Sequence, residues 1–173
     1  MNSIEILDYQ PEHQPYFEKF NRAWIEKHFW LEDIDIYVLQ HPEKAVLANG
    51  GAILMAKYDG VVAGTVALIK ATDEEYEFSK MAVDEAYQRR GIAEALSYAA
   101  FEKAKELGAK KVALYSQTSL APAINLYRKL GFVEVPMDNY LYKRANIKME
   151  ITLEAQGHGD AAIHRDSPWL SVP

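Results

Sequence analysis

Gln88-Arg89-Arg90-Gly91-Ile92-Ala93 lies between two stretches of different periodicity. Before it runs a strand-like segment, Phe78 to Val83; after it Ile92, Leu96, Ala99, Ala100, Ala104 and Leu107 recur at helical spacing. The stretch is therefore the turn of a strand–turn–helix. Backbone N–H groups at a helix start have no intrahelical partner and point forward, so such a turn attracts anions, above all phosphates. Gly91 lets backbone approach a phosphate closely, and Ala93 is small for the same reason. Arg89 and Arg90 add positive charge where the helix dipole already favours an anion.

Downstream stands a second phrase, Ala123-Ile124-Asn125-Leu126-Tyr127-Arg128-Lys129-Leu130-Gly131-Phe132. The two phrases in this order resemble the GNAT N-acetyltransferase superfamily, whose signature is Q/R-x-x-G-x-G/A after the fourth strand and L-Y-x-x-x-G-F on the last helix. The resemblance covers roughly residues 3 to 153. It implies an α/β (α+β) fold with a mixed, mostly antiparallel central sheet flanked by helices, and acetyl-CoA as co-substrate.

Residue roles follow from the resemblance. Gln88, Arg89, Arg90, Gly91, Ile92 and Ala93 would hold the pyrophosphate, and the backbone of Met81, Ala82 and Val83 would meet the acyl carbonyl and pantetheine arm. Tyr127 would stand beside the sulfur and protonate the departing thiolate. Its chain position, at the edge of the helix's apolar face, suits a ring that packs and a hydroxyl that reaches a cleft. An attacking alkylamine has a pKa of about 10.4 and must lose a proton, which calls for a base or a water chain. Glu77, fourteen positions before Gly91, occupies the place of the base glutamate in the histone acetyltransferase branch. It reads equally well as a solvated carboxylate beside Glu74 and Glu75, or as a partner of Lys80. Strand alternation puts Glu77, Ser79, Met81 and Val83 on one face. One departure from the family stands out. Many relatives carry an Asn where this chain has Leu120, and Gln117 is the residue available to replace that amide.

Composition narrows the function further. The chain has 173 residues, enough for one domain with a real core, and its longest apolar run, Val61 to Ile69, is too short to span a membrane. Met1 to Glu5 lacks the basic and apolar regions of a signal peptide, so a cytoplasmic protein is expected, with no membrane partner. Absence of cysteine excludes disulfides, thiolate metal sites and a cysteine acyl-enzyme, leaving direct transfer. His13, His28, His41, His158 and His164 show no ligand spacing, and no metal is expected. A net charge of −6 argues against nucleic acid as a partner and suits a cationic amine, although acidity also serves solubility.

Along the chain a strand is expected over Ser3 to Leu7, a helix from about Glu12 to Phe29, and a short helix from Ile34 to Leu39. Strands Ala52 to Tyr58 and Val61 to Ile69 meet at the hairpin dipeptide Asp59-Gly60. Gly108 ends the long helix, Lys111 to Ser116 is a strand, and Pro122 opens the last helix. Phe132 to Val135 and Asn146 to Leu153 form a final antiparallel pair. Periodicity alone supports only a generic α/β domain over 1–154, followed by a tail, 155–173, in which Trp169 is a candidate for docking on this subunit or a neighbour. By the resemblance, Trp24, His28, Phe29, Trp30, Tyr37, Asp138, Asn139 and Tyr140 border the acceptor site; individually these aromatics also suit core or homodimer packing. Two functions are compatible with these features: an acetyl-CoA-dependent N-acyltransferase acting on an amine of a small molecule or peptide, and a non-catalytic acyl-CoA-binding regulatory module.

Overall fold

Asp59 and Gly60 both have positive φ, 49° and 84°, as a two-residue hairpin turn requires, and join β2 (Ala52–Tyr58) to β3 (Val61–Lys70). β1 (Ile4–Asp8) pairs antiparallel with β2, and β4 (Glu75–Val83) pairs antiparallel with β3. Further on, β5 (Lys111–Ser116) pairs antiparallel with β7 (Ile147–Thr152), which carries β6 (Val133–Val135) on its other edge. The result is a seven-stranded sheet of order β1-β2-β3-β4-β5-β7-β6. This computed structural model describes residues 3–137 and 143–154; Asp138, Asn139, Tyr140 and Trp169 lie outside the described residues.

The two halves of the sheet meet at β4 and β5, which run parallel and pair at only three positions: Glu75 with Lys111, Tyr76 with Val112, and Glu77 with Ala113. Beyond Glu77 the strands continue to Val83 and Ser116 without pairing to each other. A wedge therefore opens in the middle of the sheet.

Helices cover both faces. α1 (Gln14–His28) and α2 (Asp33–Gln40) pack on one side, where Phe17, Ile25, Val38 and Leu39 meet Ile53, Met55 and Ala67 of the sheet. α3 (Ile92–Glu106) and α4 (Ala121–Leu130) lie on the other, with Leu96, Ala100 and Ile124 in one cluster with Val66, Phe78 and Leu114. The alanine-rich face of α3 comes close to the sheet: a Cβ on Gly64 of β3 would fall 3.0 Å from Ile92 and 3.1 Å from Leu96. Two details differ from the sequence reading. The first helix is preceded by a separate 3-10 turn, Pro11–His13, and a π-turn, Glu43–Leu47, follows α2. The chain then closes tightly on itself, because a Cβ on Gly51 would stand 2.3 Å from the carbonyl oxygen of Leu68.

The correction with functional weight concerns β4. Thr65 faces Ala82 and Ala67 faces Ser79, so Lys80 and Met81 share the position opposite Val66. Lys80 adopts φ 53°, a left-handed conformation that costs a non-glycine residue about 1–2 kcal/mol. This β-bulge shifts the alternation by one residue. Glu77 and Ser79 therefore face the α1/α2 side through their partners Ile69 and Ala67, while Met81 and Val83 pack into the α3 cluster. The expected single face for these four residues is not what forms.

Candidate active site

Two cavities adjoin the wedge. The first, about 460 Å³, is lined by Met81, Ala82 and Val83 of β4, by Gln88, Arg89 and Gly91 of the turn, and by Ile92, Ala93 and Glu94 at the start of α3. Gly91 caps the helix with φ 83°, and the space its missing Cβ would take is open, its nearest neighbour being Ile4 Cδ1 at 4.0 Å. Arg89 is also left-handed, with φ 64°. Gln88 Nε2 donates a long bond, 3.4 Å, to the carbonyl of Val83 and so ties the turn to the strand end.

Arg90 behaves differently from its neighbour. It is absent from the cavity lining, and its guanidinium lies over the rings of Tyr58 and Tyr87, 5.1 and 5.3 Å from their centroids. Of the basic pair expected at the phosphates, the structure brings only Arg89 to the cleft. Met81 packs its thioether against α3, where Ser97 Oγ lies 3.7 Å from the sulfur and donates to the Ala93 carbonyl at 2.7 Å.

The second cavity, about 160 Å³, lies on the other side of Met81 and Trp24, which line both. Glu77 and Tyr127 enter it together, with Ser79, Tyr115, Trp24 and Phe29. Glu77 stands at the apex of the wedge, the last residue of β4 paired with β5. Tyr127 packs edge-on against Phe78 and Phe132, with centroids 6.2 and 6.0 Å away, and burial pushes its phenol up to about 12 even though part of the residue remains exposed. Gln117 also belongs to this second cavity and not to the first; its Nε2 donates to the Arg144 carbonyl at 2.9 Å, fixing the chain that leads into β7.

Of the expected aromatic border, Trp24 and Phe29 line the second cavity, and His28 stacks near Trp24 with centroids 5.1 Å apart. Trp30 and Tyr37 are exposed, 59 % and 46 %, and line neither cavity. Sequence reasoning missed the charged floor. Lys80 and Arg144 line this cavity, and both reach Asp35 of α2, which is fully buried. Asp35 Oδ1 accepts from Lys80 Nζ at 3.0 Å and from Arg144 Nη2 at 2.8 Å; Oδ2 accepts from Arg144 Nη1 at 2.8 Å and from the Glu32 backbone N–H at 2.9 Å. Arg144 Nη1 also donates to Glu32 Oε2 at 2.9 Å. Burial by itself would raise the Asp35 carboxyl, but these donors outweigh it and hold it below the usual carboxylate value. Lys80 moves below the ordinary lysine range, because the loss of water outweighs the attraction of Asp35 and Glu77. No signal in the local sequence announces this cluster, since its members are distant in the chain. Among the described residues no group of three or more His, Asp or Glu is placed to hold a metal ion, and no helix is long and apolar enough to cross a membrane.

A helix start capped by a left-handed glycine, a sheet opened beside it, and a second cavity lined by both Glu77 and Tyr127 make up the candidate site. The acetyltransferase (GNAT) family pattern matches residues 7–132, and the chain belongs to that family. Among curated proteins, the uncharacterized N-acetyltransferase YvbK of Bacillus subtilis is 29% identical over 113 residues, 64% of this chain and 73% of that protein. An N-alpha-acetyltransferase of Sulfurisphaera tokodaii is 46% identical over 63 residues, 36% of this chain and 38% of its own length. In three dimensions the chain resembles a GNAT-family acetyltransferase of Staphylococcus aureus, with TM-score 0.78, 21% identity, and 88% of this chain and 100% of that one covered. It also resembles yncA of Salmonella typhimurium, solved with its cofactor acetyl-CoA, with TM-score 0.68, 17% identity, and 92% and 99% covered. The mixed seven-stranded sheet flanked by helices is the architecture these structures share with this chain.

Proposed function

We propose that the protein moves an acetyl group from acetyl-CoA to a primary amine of a small molecule or peptide, by direct attack within a ternary complex. The observation that carries this reading is the meeting of the two cavities at Met81 and Trp24, the phosphate-shaped turn on one side and Glu77 with Tyr127 on the other. The coenzyme complex of the Salmonella structure and the N-alpha-acetyltransferase name of the Sulfurisphaera relative agree with it. On this reading the amides at the start of α3 hold the pyrophosphate, and the β5-facing edge of β4 beyond Glu77 receives the pantetheine arm and the acyl carbonyl. Glu77, directly or through water, takes the amine proton. The nitrogen lone pair attacks the thioester carbon, the carbon–sulfur bond breaks as the nitrogen gives its remaining excess proton to water, and the thiolate leaves beside the Tyr127 hydroxyl. The catalytic domain then spans 1–154, and the cytoplasm, where acetyl-CoA is available, is the location that goes with the reaction.

Thiol release from acetyl-CoA, followed over a panel of small amines and peptides with free N-termini, tests the reading; absence of acceptor-dependent release across the panel would overturn it. Gly91→Val is expected to weaken acetyl-CoA binding by tenfold or more. An added Cβ has only Ile4 Cδ1 near it, at 4.0 Å, so the loss comes from strain at φ 83° and from the space taken in front of the helix. Calorimetry on the folded variant with unchanged affinity would remove Gly91 from the cofactor site. Glu77→Gln is expected to lower the rate most at low pH, where the unassisted amine is almost wholly protonated. A pH–rate profile superimposable on wild type would assign the proton to another group.

A further inference from the structure

The Asp35 carboxylate is full. A carboxylate offers about four acceptor positions, and here two go to Arg144, one to Lys80 and one to the backbone of Glu32. The partners belong to parts of the molecule that otherwise have little reason to move together. Lys80 is the left-handed residue of the β4 bulge, immediately before Met81. Arg144 lies on the chain entering β7, which Gln117 holds by its carbonyl and which lines the second cavity. Glu32 caps α2, the helix that carries Asp35.

The bulge needs an external cause. Lys80 is not glycine, and its conformation is unfavourable unless the surroundings hold it. In this buried, water-poor site the ion pair to Asp35 supplies that hold, and it can form only when the lysine projects toward α2. The same bulge turns Met81 and Val83 toward α3, on the part of β4 that borders the open wedge.

We propose that Asp35 is a positioning residue for acetyl transfer: one carboxylate fixes both the Lys80 bulge and the Arg144 segment, so that the backbone facing the acyl group and the wall facing the acceptor are aligned as a unit. The inference rests on the acetyltransferase reading given above. It makes Lys80 and Arg144 non-independent, because both act through the same carboxylate and share its Oδ1. Neither is required to touch substrate.

Lys80→Met and Arg144→Met keep the apolar stems and remove the charges. Each is expected to lower kcat by about tenfold to a hundredfold, as small misalignments of reacting groups do, with KM for acetyl-CoA within about threefold of wild type. The double variant should be no slower than the slower single variant. Amide hydrogen exchange at Met81 should quicken in Arg144→Met, although Arg144 lies in the turn before β7 and not on the bulged strand. Should either Met variant fail to fold, Arg144→Lys keeps the charge and loses the two-pronged grip on Asp35, and the same measurements apply. A folded Lys80→Met protein with wild-type kcat and unaltered Met81 exchange would overturn the proposal, as would rate losses that multiply in the double variant. If the wild-type protein transfers acetyl to no acceptor, the catalytic reading fails, and exchange at Met81 in Arg144→Met still decides whether one carboxylate governs both segments.

Discussion

Tyr127→Phe is expected to lower kcat by about 10² or more while acetyl-CoA affinity stays within about threefold of wild type. The substitution leaves the ring contacts with Phe78 and Phe132 in place and removes only the hydroxyl, so folding should be preserved. Magnitudes indicate what the hydroxyl contributes. Burial pushes the phenol up to about 12. A thiol near 8.5 is the weaker base by roughly 3.5 pH units, so complete proton transfer to the thiolate would run uphill by about 5 kcal/mol. The hydroxyl therefore acts chiefly as a hydrogen-bond donor to the sulfur as charge develops there, and it stays protonated throughout the working pH range. Losing one such donor in a water-poor site costs about 10² to 10³ in rate. Single-turnover measurements on wild type and variant check the expectation. Equal rates, with chemistry limiting in both, would leave Tyr127 as a packing residue.

Asp35→Ala carries the largest expected loss of stability, about 3–5 kcal/mol, because it leaves Lys80 and Arg144 inside the protein without the carboxylate that both share. Urea unfolding measures it, and a difference below about 1 kcal/mol would show that water or neighbouring carboxylates compensate. The same group gives a pH dependence of definite sign. Its carboxyl is held lower in the folded protein than in the unfolded chain. The stabilisation it provides is therefore complete above the unfolded value of about 3.9 and drains away as pH falls through the folded value. Wild type and Asp35→Ala should accordingly converge in stability under strong acid.

How much of this could be read from the chain depended on whether the signal was local. The turn at Gln88 to Ala93 and the hairpin at Asp59-Gly60 were legible because left-handed glycines and a change of hydrophobic period are written in adjacent residues. Glu77 and Tyr127, assigned by resemblance, do come to one cavity. What alternation could not reveal was the bulge, for Lys80 is not a turn residue and its conformation is held by Asp35, forty-five positions earlier. The expected common face of Glu77 and Met81 failed for that reason. The placement of Arg90 over Tyr58 was illegible on similar grounds, because Tyr58 lies on a strand far back in the sequence. The Asp35 cluster was illegible because an aspartate in the first turn of a helix has an ordinary local explanation, and this one also fills it by accepting from Glu32 N–H.

The three-position seam between β4 and β5 also bears on self-association. An unpaired strand edge normally invites another polypeptide to add itself, which is a route to aggregation. Here the open edge lies inside the sheet, and the opening tapers to a closed register at Glu77 and Ala113. A full strand needs about 4.8 Å of lateral room on each side along its whole length, which a taper denies it near the apex. The taper thus denies a strand room near the apex, and the ladder groups beyond Glu77 lie within the sheet instead of along its outer edge.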